Sequence, residues 1–303
     1  MRRLRFSSVV VLLSVLTLVT AACASNDNTG GGGGTGSPAA SSPTAANDLL
    51  ASIMSKGYIE VSTDPKYPPQ SFLDTATNTW KGFDIDVATE IAKRLGVDVK
   101  WQTPNWTAIT SGNWQGRWDM SVGSMTITPD RAKVLDFTSP YYYTPAGFAV
   151  YKTNTSITSA ADLTGKKVGV CGGCTYEEYL RGTLQIPDYP IDFQVKDAEI
   201  VTYDTDSTAI QDLALGDCVR LCAAFSAIPT LQGAIDAGKP IKIVGPPLYY
   251  EPLGVAFDRE SALDATALVQ KVSDIITQMH EDGTLSQLSQ KWYNEDLTVA
   301  QSG

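Results

Sequence analysis

Lys81-Gly82-Phe83-Asp84-Ile85-Asp86-Val87-Ala88-Thr89-Glu90-Ile91-Ala92-Lys93-Arg94-Leu95-Gly96 carries the helix signals of this chain most fully. Ile85, Ala88, Ile91, Ala92 and Leu95 recur at helical spacing and form one apolar face. Asp84 and Asp86 suit the positive N-terminal end, and Gly96 suits the left-handed residue that follows a helix. Strand patterns flank the helix. Tyr58-Ile59-Glu60-Val61-Ser62-Thr63 alternates apolar and polar residues and is rich in β-branched side chains, and Val97 to Trp101 reads the same way. A β-α-β rhythm predicts an α/β fold with parallel strands.

On such sheets ligands sit beyond the strand C-termini. After the first strand comes Asp64-Pro65-Lys66-Tyr67-Pro68-Pro69-Gln70-Ser71-Phe72, an acid and an aromatic in a proline-rich loop. Tyr67 reads equally as packing against the prolines. After a later strand-like run, Asp119 to Val122, comes Gly123-Ser124-Met125-Thr126-Ile127-Thr128-Pro129-Asp130-Arg131. Hydroxyls, backbone N–H groups and a bidentate guanidinium can wrap a carboxylate. The same residues also read as a capped helix start, with Thr128 as N-cap, Pro129 in the first turn and Asp130 at the positive end.

The N-terminus has a different character. Arg2, Arg3 and Arg5 precede an apolar run, Val9 to Val19, too short for a mature membrane span, so residues 1–22 read as a signal peptide. Thr20-Ala21-Ala22-Cys23 resembles a bacterial lipobox, with Thr20 where leucine is usual. That resemblance implies lipid attachment at Cys23. Residues 23–47 are rich in Gly, Ser, Thr, Pro, Ala and Asn and read as a flexible tether.

The whole chain carries a formal charge of −10, and loss of Arg2, Arg3 and Arg5 would leave 20 basic against 33 acidic residues, or −13. A nucleic-acid partner, which needs a basic face, is excluded on that balance. There is no phosphate loop or nucleophile elbow. His280, the only histidine, sits at the end of an amphipathic helix pattern where a surface cation is expected.

Several blocks together resemble bacterial extracellular solute-binding proteins for polar amino acids, which serve ABC importers. They are Gly82-Phe83-Asp84-Ile85-Asp86-Val87; Asp119 through Arg131; Leu135-Asp136-Phe137-Thr138-Ser139-Pro140-Tyr141; Val168-Gly169-Val170 before Thr175-Tyr176-Glu177; Asp282-Gly283-Thr284-Leu285; and Lys291-Trp292-Tyr293. The resemblance implies a two-lobed type II periplasmic-binding-protein fold, α/β in each lobe, closing like a hinge on a ligand cleft. Residues 48–145 plus 249–303 would form lobe one and 146–248 lobe two, with crossovers near Thr144-Pro145-Ala146-Gly147 and Gly245-Pro246-Pro247. It implies a monomer bound to the membrane only through its lipid, outside the cytoplasm, that hands a small carboxylate ligand to a permease without cofactor, metal or catalysis. The alternative is a secreted enzyme on the same scaffold, similar to cyclohexadienyl or arogenate dehydratases.

Carried over residue by residue, the resemblance makes Arg131 the anchor of the ligand carboxylate, with Ser124, Thr126 and Thr175 completing its shell. Tyr67 and Trp106 flank the ligand side chain, and Asp64 faces a cationic end. Cys174, Ser226 and Glu251 are secondary candidates. The acid that usually binds the ligand ammonium should fall near Phe225 or Ser226, and neither is acidic. That leaves Asp64, Glu251 or backbone carbonyls, or else a ligand that is not a standard α-amino acid.

Cys171, Cys174, Cys218 and Cys222 all fall in the expected second lobe. Outside the cytosol an even count predicts two disulfides, with three connectivities open. Cys171 and Cys222 both end strand-like runs, which suggests a pairing across neighbouring strands. C-x-x-C spacing also resembles a zinc ligand pair, against which an oxidising compartment competes, and a redox role lacks the thioredoxin-like context.

Overall fold

A computed structural model describes residues 47–300 of the protein. The leader, Cys23 and the tether up to residue 46 lie outside the described residues. Helix α1 (Leu49–Lys56) leads into β1 (Tyr58–Ser62). A small three-stranded sheet follows, β2 (Lys66–Tyr67), β3 (Ser71–Asp74) and β4 (Thr79–Lys81).

Helix α2 (Phe83–Leu95) starts at Gly82 and stops at Gly96, which is left-handed. Gly82 has φ +130°, and a β-carbon there would lie 2.2 Å from the Gln70 carbonyl oxygen. Only glycine lets the loop pack so closely on the helix start. The apolar face of α2 is buried as its spacing predicts. Asp84, placed at the helix's positive end, is fully buried there.

Next come β5 (Asp98–Gln102), α3 (Trp106–Thr110), β6 (Met120–Thr126), β7 (Leu135–Phe137) and β8 (Tyr142–Tyr151). Strand β6 runs four residues beyond the expected Val122, because Thr126 and Met125 pair with Leu253 and Gly254. The helix expected at Pro129 is a single 3-10 turn, Arg131–Lys133, since Leu135 must already pair with Asp258. Thr128 still accepts from the Arg131 N–H, at 3.3 Å.

The chain continues through β9 (Lys167–Cys171), α4 (Thr175–Leu180), β10 (Glu199–Tyr203), α5 (Asp206–Leu213), β11 (Ala223–Ala227) and α6 (Ile228–Asp236). It ends with the long β12 (Ile241–Asp258), α7 (Thr266–Glu281) and α8 (Thr284–Tyr293). The main sheet has the order β10-β9-β11-β8-β12-β6-β1-β5, with β7 also on β12. Two parallel sets, β5-β1-β6 and β10-β9-β11, flank the antiparallel pair β8–β12. The β8–β12 register shifts between Val244 and Tyr249, where Pro246 and Pro247 have no N–H to give the ladder.

Buried side chains fall into separate clusters. One joins Ile59, Phe83, Ile91, Leu253, Phe257 and Ile276. Another joins Phe148, Val168, Tyr179, Phe225 and Tyr249. No helix of the described residues is long and apolar enough to cross a membrane.

The disulfides are Cys171–Cys174 and Cys218–Cys222. The suggested Cys171–Cys222 pairing does not occur, and strand direction explains why. β9 and β11 are parallel, so Cys222, before β11, lies beside Lys167 at the start of β9, with its N–H 2.8 Å from the Lys167 oxygen. Cys171 is at the far end of the same strand.

Candidate functional site

The C-terminal ends of β1, β9 and β10 converge with the last residues of β6 on one cavity of about 60 Å3. Asp64, Tyr67, Trp106 and Arg131 line it, as do Ser124, Thr126 and Thr175. Cys174 lines it too; Ser226 and Glu251 do not. Ser226 is within β11, paired with Gly147, and is 1% exposed.

Arg131 is 6% exposed. Its Nη1 donates to the Thr126 carbonyl at 2.9 Å and its Nη2 to the Gly173 carbonyl at 3.4 Å. The Trp106 ring lies 5.1 Å from the guanidinium carbon. No ion pair forms with Arg131 among the described residues. Burial disfavours its charge, and the carboxylates of Glu178 and Glu251 partly offset that. The remaining N–H groups of the fork are thus held in the cavity without a carboxylate partner.

The three hydroxyls of the expected shell are engaged elsewhere. Ser124 has φ +54° within β6, and its Oγ donates to Asp84 Oδ2 at 2.7 Å. Tyr141 donates to the other oxygen of Asp84, also at 2.7 Å. Burial pushes the Asp84 carboxyl up to about 7. Thr126 and Thr175 both donate to the same oxygen of Glu251, the former at 2.9 Å. Glu251 is 1% exposed, and burial raises its carboxyl as well. It sits behind the cavity wall and orients two of the hydroxyls that line it.

The walls close on one another through side chains. Tyr67 and Tyr176 share a 3.3 Å contact between hydroxyls. Trp106 Nε1 donates to the Gly173 carbonyl at 3.1 Å, the oxygen that Arg131 also reaches. Ser207 Oγ donates to the Lys66 carbonyl at 2.7 Å.

Sequence reasoning missed Asp206. It opens α5, lines the cavity and is 7% exposed. Its Oδ1 has no hydrogen-bond partner. Burial, the largest cause, raises its carboxyl to about 7; the nearby Ser226 hydroxyl offsets part of this, and the charges of Asp64 and Glu251 add to it. Asp204 lines the same wall. The signal was present, since Tyr203-Asp204-Thr205-Asp206 repeats the acid-after-strand pattern of Thr63-Asp64. Asp64 itself accepts from the Lys66 N–H at 2.7 Å, and burial raises its carboxyl. One guanidinium therefore faces three acids across the cavity.

Residues 59–295 match the family described as bacterial extracellular solute-binding proteins, family 3. The L-cystine-binding protein TcyJ of Escherichia coli (strain K12) is 33% identical over 258 residues, covering 84% of this chain and 89% of that protein. An L-arginine-binding protein of Pseudomonas aeruginosa is 28% identical over 247 residues, covering 79% and 89%. Among solved structures, the ancestral amino acid-binding protein AncCDT-1, a precursor of cyclohexadienyl dehydratase, is similar with a TM-score of 0.68 and 31% identity, over 81% of this chain and all of that one.

Proposed function

This chain belongs to the bacterial extracellular solute-binding proteins of family 3, and from that premise we propose that it captures a polar α-amino acid and passes it to the permease of an ABC importer. The observation that carries the reading is Arg131, a buried guanidinium in the cavity wall with no ion-pair partner among the described residues. A ligand carboxylate supplies that partner, and the planar fork matches both of its oxygens. The ligand ammonium goes to Asp206, whose buried Oδ1 is otherwise unpartnered. Asp64 and Asp204 favour a ligand whose side chain is polar or cationic. Relatives named for L-cystine and L-arginine support this, since each of those ligands carries more than one cationic group.

The cleft lies between two lobes, 48–145 plus 249–303 and 146–248. Support comes from the core: one cluster draws on residues 49–142 and 253–297, the other on 146–249. The protein works as a monomer, held to the membrane by a lipid on Cys23 and a tether, and it catalyses nothing.

Thermal-shift screening of the body against the common amino acids and cystine tests the reading, because a ligand of the native state stabilises it by mass action. An amino acid should raise the midpoint in proportion to the logarithm of its concentration. Turnover of arogenate or prephenate, with no stabilisation by any amino acid, would replace the transport reading with the dehydratase one.

A further inference from the structure

The wall of the cavity contains a disulfide. Cys171 ends β9, Cys174 precedes α4, and both line the space that Arg131 and Asp206 face. The two sulfurs and a carboxylate oxygen of Asp206 lie within 4.8 Å of one another. A disulfide that only braced the loop could sit anywhere along it. This one occupies the ligand's side of the wall.

We propose that the cleft is also a thiol–disulfide exchange site, in which a bound thiol-bearing α-amino acid such as cysteine reacts with Cys171–Cys174. The inference rests on the reading above, with the carboxylate on Arg131 and the ammonium on Asp206. In such a ligand the sulfur is three bonds from the ammonium nitrogen, roughly 3 Å away when the two are gauche. Anchoring the ammonium on Asp206 therefore brings the thiol to the disulfide. Holding two reactants together in this way replaces a bimolecular encounter with an intramolecular one.

The exchange balances within the cleft. Cys174 is half-buried and Cys171 only 3% exposed, so the ligand sulfur attacks Cys174 Sγ. A bond forms between these two sulfurs as the Cys171–Cys174 bond breaks. Cys171 leaves with the electron pair and takes up the proton that the ligand thiol gave up. The products are a ligand–Cys174 mixed disulfide and a Cys171 thiol. A second thiol molecule attacking the ligand sulfur releases the oxidised, disulfide-linked ligand and leaves Cys171 and Cys174 reduced. Every step is reversible, so the dithiol form accepts a disulfide-linked amino acid by the same route.

Cys218–Cys222 is an internal control. Cys218 is exposed and lies outside the cavity lining. On access alone, a free thiol opens that bridge first. Native protein is treated with low concentrations of L-cysteine or of 2-mercaptoethanol, quenched with an alkylating agent, and each pair is scored by peptide mass. The expected result is that 2-mercaptoethanol opens Cys218–Cys222 first, whereas cysteine reverses the order. Under cysteine, Cys171–Cys174 should open at least about 100-fold faster than Cys218–Cys222, a small part of the effective molarity a well-oriented reactant can reach. Excess L-serine, which lacks the thiol, should slow that opening, and Arg131→Ala should restore the order seen with 2-mercaptoethanol. Cys171→Ser treated with L-cystine should trap the mixed disulfide on Cys174. The same order of opening under both thiols overturns the proposal, as does a Cys174 that stays unmodified in Cys171→Ser. If calorimetry shows an amino acid binding while the order is unchanged, only the exchange fails. If no amino acid binds at all, the binding reading fails with it.

Discussion

The pH dependence of ligand affinity follows from Asp206. In the free protein burial raises this carboxyl to about 7, so it is largely protonated below that pH. A ligand ammonium needs the ionised form. Binding below pH 7 must therefore expel a proton, and each pH unit below 7 costs about 1.4 kcal/mol, or tenfold in affinity. From pH 7 to pH 5 the dissociation constant should rise about 50-fold, since half of the carboxyl is already protonated at pH 7. Above pH 8 it should be flat until the ligand ammonium itself titrates. Isothermal calorimetry of the tightest-binding amino acid, at pH 5, 6, 7 and 8 in buffers of differing ionisation enthalpy, reads both the affinity and the proton released. Asp206→Asn keeps the shape but removes the charge. It should lose the proton release and bind more weakly by about 2–5 kcal/mol, the usual cost of stripping one partner from a desolvated charged pair. Asp64 and Glu251 face Asp206 and are also raised by burial, so Asp64→Asn is measured in parallel. A wild-type affinity flat from pH 5 to pH 8, or an Asp206→Asn profile identical to wild type, would refute the assignment of the ammonium to Asp206.

The carboxylate end gives a second test. Arg131→Ala should weaken binding by on the order of 2–5 kcal/mol, and Arg131→Lys by less, as measured by calorimetry; an unchanged affinity for every ligand ends the clamp model. Ligand-free stability should also depend on pH. Asp84 and Asp206 keep their protons up to about 7 in the folded chain but lose them near 3.8 when unfolded, so the stability they contribute is fullest at low pH and falls as pH rises between about 4 and 7. Denaturant melts across that window should show the decline, and Asp84→Asn should flatten part of it; a wild-type stability that rises steadily from pH 4 to pH 7 contradicts it. Metabolic labelling with a fatty acid should mark the wild type and leave Cys23→Ala unmarked; equal labelling of both refutes lipid attachment at Cys23.

Local structure was legible wherever a residue's role depends on its near neighbours. Helix α2 could be read from its spacing and its flanking glycines, and β1 from its alternation. The cavity lining was legible through strand ends, because residues after β1 and near the end of β6 sit beyond the same edge of the sheet. Roles set by distant partners were not. Thr126 and Thr175 read as donors to a ligand, yet both give their protons to Glu251, 125 and 76 residues away in the chain. The disulfide pairing turned on the parallel direction of β9 and β11, which no local pattern reveals. Asp84 was legible as an acid at a helix start, but not as the buried acceptor of Ser124 and Tyr141.

Asp206 carries this point into function. The acid expected for the ligand ammonium was sought two strands away in the sheet, where Phe225 and Ser226 are buried in β11. A cavity wall does not require that the charge come from that strand. It requires a carboxylate at that place, dry enough to be strong and unpartnered enough to be available. β9 lies between β10 and β11 in the sheet, with β10 parallel to it, so the end of β10 reaches the same rim. An acid there can serve the same ligand group. It also lies beside Cys171 and Cys174. Moving the acid to β10 thus couples ammonium recognition to the cleft disulfide, and a ligand held by one is brought against the other.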